Sequence, residues 1–145
     1  METIQNINIG IRKIRETEFF ADDSITLSSD SAINFSFQLD TLVRAESKEL
    51  EMVLTVFYIV DEKQFLRMKT TNIFHIVEMD LLYEKEANSY NIPDNVLATM
   101  LGLSITHTRA LLAKASLGTK FADIYIPIVN PTELMRNMTL NLQQG

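Results

Sequence analysis

The sequence predicts an α+β domain: a four-stranded antiparallel meander, then a long helix, an apolar crossover loop and a short C-terminal helix. Two observations carry this. From Ile7 to Val77 apolar residues recur at every second position, the period of half-buried strands. From Asp94 to Leu142 the spacing becomes three and four, punctuated by Pro, Gly and an Asn-Pro pair. Strands first and helices after is the order of a sheet covered on one face by helices.

Ile7, Ile9 and Ile11 alternate with Asn8, Gly10 and Arg12, giving a first strand that ends near Ile14. Glu18 to Ser31 holds Asp22-Asp23-Ser24 and Ser28-Ser29-Asp30-Ser31, clusters that make loops, with Phe19, Phe20, Ile25 and Leu27 among them. Ile33, Phe35, Phe37, Leu39, Thr41 and Val43 mark a second strand with one buried face. Leu50 to Val60 is apolar on both faces, which suits a central strand. Asp61 to Gln64 turns the chain into a fourth strand, Phe65 to Val77, and Glu78 to Pro93 is an acidic connection with room for a helical start. Asp94 is placed to cap a helix with apolar positions at Leu97, Met100, Leu101, Ile105, Leu111 and Leu112, and Gly118 stops it. Asn130-Pro131-Thr132-Glu133 starts the second helix, with Asn as cap, Pro at the first position and Glu able to reach back.

With 145 residues and 46% apolar content, residues 1–145 fit one domain able to bury a core, and oligomerisation would help so small a chain. A net charge of −6 argues against nucleic-acid binding, which draws on neutralising phosphates. With no Cys, disulfides and thiolate chemistry are excluded. The N-terminus lacks the basic start and apolar run of a signal peptide, and no stretch reads as a membrane span, so the expected compartment is the cytoplasm.

No motif calls for catalysis or a cofactor. His75 sits among Ile73, Phe74 and Ile76 and reads as a half-buried, hydrogen-bonded structural residue; His107 and Arg109, two apart on the long helix, point to different faces. Two His without Cys or a His-Glu-x-x-His pair make zinc improbable. Asp22/Asp23, Glu49/Glu51, Asp61/Glu62 and Glu84/Glu86 fall in turns or on wet faces, and only Glu78 has the apolar neighbours on both sides that an acid of raised pKa needs. Gly10, Gly102, Gly118 and Gly145 are isolated, so there is no phosphate loop. The chain is not expected to be an enzyme.

The segment Ser116-Leu117-Gly118-Thr119 to Ile126-Pro127-Ile128-Val129-Asn130-Pro131, with Leu134 after it and Ile73-Phe74-His75-Ile76 and Arg109 before it, resembles the SecB-like family of export chaperones from roughly Ile7 onward. Thr106 and His107 replace the family's aromatic and Pro pair ahead of the helix Arg. The resemblance implies an oligomer, with two sheets paired into an eight-stranded one and dimers packed through their helices. Arg67 and Lys69 lie on a strand the family uses in dimer packing, so both dimer and tetramer stay open. It also implies that unfolded polypeptide or preprotein clients bind an apolar loop-and-sheet surface, and that a translocase motor is the partner of the export members. Those can dock on the motor through a Cys-containing zinc tail, and residues 1–145 hold no Cys with which to form one, so such docking is not expected. An antitoxin or a phage or mobile-element partner fits equally.

The residues expected to line that surface form three sets: Phe19 and Phe20, Phe35 and Phe37, and Phe121, Ile124, Tyr125, Ile126 and Ile128. Either they converge into an open groove, or they close the core.

Overall fold

The computed structural model describes residues 6–137. Its sheet contains β1 (Ile9–Ala21), β2 (Ile33–Arg44), β3 (Glu49–Val60) and β4 (Lys63–Ile76), all antiparallel, in the order β1-β4-β3-β2. The meander runs through β2, β3 and β4, while β1 pairs with β4 and residues 22–32 cross the end of the sheet. The amphipathic chemistry sorts the strands: β3 and β4 bury every second residue or more and take the centre, while β1, carrying Arg12, Lys13, Arg15, Glu16 and Glu18, is mostly exposed at an edge.

β1 runs seven residues beyond the expected end at Ile14, so Phe19 and Phe20 are strand residues rather than loop. Register shifts between Ile11 and Lys13 and between Glu16 and Glu18 break the strict alternation. A bulge adds one residue to one strand and so hides a strand from a period-two reading.

The register stacks Val43, Leu50 and Phe74, then Thr41, Met52 and Asn72, then Leu39, Leu54 and Thr70, then Phe37, Val56 and Met68, on one face. Across this inner face, over β4, β1 and β3, lies α1 (Asp94–Ser116), burying Leu97, Met100, Leu101, Ile105 and Leu112. A polar seam sits between them. Thr70 and Thr108 share a 2.7 Å hydroxyl contact, Asn72 Nδ2 donates to Thr70 Oγ1 at 3.2 Å and to the Met52 carbonyl at 3.3 Å, and Asn72 Oδ1 lies 2.8 Å from His107 Nδ1. Buried polar groups that all find partners tie the helix to one position over the sheet.

Asp94 does not cap α1; it is the first helical residue, and the N–H groups of Val96 and Leu97 both donate to the Pro93 carbonyl. At the other end Gly118 adopts φ +85, the left-handed stop a Cβ would strain. By length and a mean hydropathy of 1.3, α1 could span a membrane, more than the sequence reading allowed, but half of its apolar window is buried in the fold as the core helix of the sheet.

The acidic connection forms a 3₁₀ turn, Met79–Leu82, and a small hairpin of β5 (Tyr83–Glu84) and β6 (Ser89–Tyr90). The second helix, α2 (Pro131–Arg136), begins as expected: Asn130 Oδ1 accepts from the N–H groups of Thr132 at 2.9 Å and Glu133 at 3.3 Å. Its expected continuation to Leu142 lies outside the described residues. Gly102 is where α2 meets α1, since a Cβ there would stand 3.2 Å from Pro131 Cγ.

Candidate functional site

Because α1 lies over β1, β4 and β3, the inner face of β2 is left half-covered, with Phe35, Phe37 and Leu39 all partly exposed. An aromatic ladder leads from this edge into the core. Phe35 meets Phe37 edge-on at 5.1 Å and Tyr58 at 5.0 Å; Tyr58 stands 6.2 Å from Phe65, which stands 5.1 Å from Phe121. Such contacts stabilise beyond the area they bury.

The crossover loop between Leu117 and Asn130 comes down beside this ladder, held by its backbone. Tyr58 Oη donates to the Tyr125 carbonyl at 2.6 Å, and Arg109 donates from Nε to the Ile126 carbonyl at 3.0 Å and from Nη2 to the Pro127 carbonyl at 2.8 Å. Lys120 Nζ donates to the Asp23 carbonyl, tying the loop to the β1–β2 connection. Burial pushes the Tyr58 hydroxyl up to about 12, with the Arg109 charge opposing, so the phenol stays a donor at neutral pH.

Clamping by carbonyls decides which side chains face water. Tyr125 is 59% exposed and Ile128 97%, whereas Phe121 is 1% and Ile126 3% exposed. Phe121 and Ile126 therefore close the core and do not line an open surface. Ile124 is half-buried against the core. Beyond Tyr125 the surface runs to Ile128 and a shallow depression of about 380 Å³ between loop and helix, lined by Ile105, Thr106, Arg109, Ile128 and Val129 among others.

The first of the three expected sets does not join the other two. Phe19 and Phe20 lie on β1, three strand positions from β2, roughly 14 Å away. They also face opposite ways. Phe19 pairs with Met68 on the inner face, and Phe20 lies on the outer face under the Arg67 guanidinium, 5.3 Å from its ring centroid. What the structure brings together is Phe35 and Phe37 with Tyr58, which holds the Tyr125 backbone, and Ile124 against the core; Ile128 stands farther along the loop, beside Arg109 and α1. The sequence reading placed Arg109 but gave Tyr58 no role beyond its strand. The available signal was chemical, since a Tyr on the inner face of a central strand needs a partner for its hydroxyl.

Among the described residues the other titratable groups singled out in the sequence, His75, His107 and Glu78, stand apart from this surface. His75 lies on the outer face, and its Nδ1 is buried without a hydrogen-bond partner among the described residues, so it is not the hydrogen-bonded residue expected. His107, held at Asn72, has its pKa lowered by burial. Glu78 accepts from the Asn8 N–H at 2.8 Å and Asn8 Nδ2 at 2.6 Å, and these bonds hold its carboxyl below the usual range, the reverse of a raised acid. Among the described residues no group of three His, Cys, Asp or Glu side chains is placed to hold a metal.

No protein-family model and no curated protein matches the chain. Among solved structures, the Mycobacterium tuberculosis Rv1957 SecB-like chaperone, in complex with a ChAD peptide from the Rv1956 HigA1 antitoxin, is similar at a TM-score of 0.56 and 8% identity, over 83% of this chain and 89% of that one. The chain has the SecB-like fold. A protein of unknown function from Streptococcus agalactiae is similar at a TM-score of 0.37 and 13% identity, over 85% of this chain and 99% of that one. The SecB-like fold puts sheet, long helix, crossover and short helix in the order that the resemblance implied.

Proposed function

We propose that this chain is a SecB-like chaperone that holds extended, non-native polypeptide on the surface formed by the inner face of β2 and the crossover loop. The observation that carries the reading is a loop pinned by its backbone while two of its side chains, Ile128 at 97% and Tyr125 at 59% exposed, point outward. A rigid backbone offering apolar side chains loses little entropy on binding, and affinity comes from buried area with little demand on sequence. Such binding requires neither nucleotide nor metal. A segment of an antitoxin is one client of this kind, a reading supported by the antitoxin peptide bound to the Mycobacterium tuberculosis protein of the same fold.

The working unit in this proposal is a homo-oligomer. Ile11 and Ile14 on the inner side of edge strand β1 are 50% and 42% exposed, a surface a second copy would cover. The test is suppression of aggregation of a chemically unfolded protein by the metal-free, nucleotide-free chain, alongside light scattering of the chain alone. Protection by an oligomer is expected. An absence of protection at several-fold molar excess contradicts the chaperone reading, and a stable monomer contradicts the assembly.

A further inference from the structure

The outer face of the sheet carries a charge pattern opposite to that of the chain. The net charge is −6, yet cations gather at the β1–β4 side of this face. Residues directly paired across strands share a face, so the rows Lys13–Ile73–Glu51, Arg15–Thr71–Val53 and Glu18–Lys69–Thr55 all look outward, away from α1. Three ion pairs use up part of the charge: Arg12 with Glu49 at 3.0 Å, Arg44 with Glu51 at 3.1 Å, and Arg67 with Glu18. That leaves Lys13, Arg15 and Lys69, which form no ion pair among the described residues. They occupy three successive rows, so Arg15 lies roughly 7 to 8 Å from each of the other two, while Lys13 and Lys69 are roughly 14 Å from one another by sheet geometry. The carboxylate of this face left outside those ion pairs, Asp40, is on β2, at the far edge.

Guarding a free edge against strand addition accounts for Lys13 and Arg15, which lie on edge strand β1. It does not account for Lys69, which lies on interior strand β4. Lys69 stands opposite Glu18, whose carboxylate is taken by Arg67, and Arg15 lies between Lys13 and Lys69, so an acidic strand laid along the three rows meets a run of cations that the sheet itself does not neutralise. Beside them the half-buried Val53 and Ile73 supply an apolar strip along the same face.

We propose that the outer face around Lys13, Arg15 and Lys69 docks an acidic polypeptide segment. This surface is on the side of the sheet opposite the client surface, so a bound acidic segment and a bound client would not compete. It is a second interaction site on an otherwise acidic chain, where long-range repulsion of acidic partners is relieved only locally.

The test uses a fluorescein-labelled deca-glutamate peptide and anisotropy at low salt. The wild-type chain is expected to bind it, and the triple variant Lys13→Glu, Arg15→Glu, Lys69→Glu to bind about tenfold more weakly or less. The charge-conserving variant Lys13→Arg, Arg15→Lys, Lys69→Arg is expected to bind like wild type, and added salt to weaken binding. The reversed variant should hold an unfolded client as wild type does. The proposal is overturned if wild type fails to bind the peptide, if the reversed variant binds it equally well, or if a deca-thymidine oligonucleotide binds tighter than the peptide, which would assign the patch to nucleic acid.

Discussion

Two apolar residues of one loop, Ile128 and Phe121, should respond to the same substitution in opposite ways. Ile128 is 97% exposed, so Ile128→Ser leaves the packing of the free protein untouched and shifts its stability by no more than about 0.5 kcal/mol. If a client covers Ile128, the change removes about 1.5 to 3 kcal/mol of burial from the complex, a weakening of roughly ten- to 150-fold in Kd. Phe121 is 1% exposed and stacks on Phe65 at 5.1 Å, so Phe121→Ser should cost folding about 3 to 5 kcal/mol. In a domain of this size that lowers Tm by about 6 to 20 °C. Client affinity, measured well below the melting range, should hardly change. The assay pairs a thermal melt of each variant with anisotropy of a labelled, permanently unfolded client. An Ile128→Ser protein that binds client like wild type would refute the reasoning, because the most exposed apolar side chain of the loop would then take no part in recognition.

Alkaline pH should weaken the loop clamp. The Tyr58 hydroxyl ionises at about 12 in the fold against 10.0 for an ordinary Tyr, so its contribution is complete below pH 10 and is lost as pH rises towards 12. Urea unfolding at pH 9 and 11 should show a larger loss for wild type than for Tyr58→Phe, and equal losses would remove Tyr58 from the account. At the acid end, burial lowers the pKa of His107, so the unfolded chain takes up a proton that the fold resists, and stability falls as pH drops below about 6.5. His107→Gln should flatten the unfolding free energy between pH 7 and 5, and an unchanged slope would argue against it. Gly102→Val places a branched side chain where even a Cβ would stand 3.2 Å from Pro131 Cγ, and should cost about 1 to 3 kcal/mol by thermal melt. No loss would mean that α2 is not seated on α1.

Most of the sheet and the long helix are legible in the sequence because their periods are. The strands from Ile33 to Ile76 are joined by tight turns and keep one register apart from a single shift at Tyr58/Ile59, beside the β3–β4 turn, so pattern and pairing agree over most of their length. β1 is legible only to Ile14, between its two bulges, since each inserted residue reverses the alternation. Its place beside β4 depends on which strands are apolar on both faces, a comparison across the whole sheet. The cap of α1 lies one residue before the Asp94 that the sequence suggests, because Pro93 already ends the extended chain and supplies the carbonyl that starts the helix. The site is legible as a set of apolar residues, but not in its division into open and closed. Phe121, Ile124, Tyr125, Ile126 and Ile128 share no period, and their orientation is set by Tyr58 and Arg109, which lie 67 and 17 positions from the carbonyls they hold.

The central claim is that non-native polypeptide lies on the inner face of β2 beside the crossover loop, and adjacent residues of one strand test it. Phe37 faces inward, paired with Val56, and Gln38 faces outward, paired with Thr55. A photo-crosslinking benzoylphenylalanine is placed at position 37 in one variant and at 38 in another, and each is irradiated with the same unfolded, labelled client. The account predicts client adducts from position 37 and few or none from position 38. Equal labelling from both positions, or labelling from 38 alone, would contradict it.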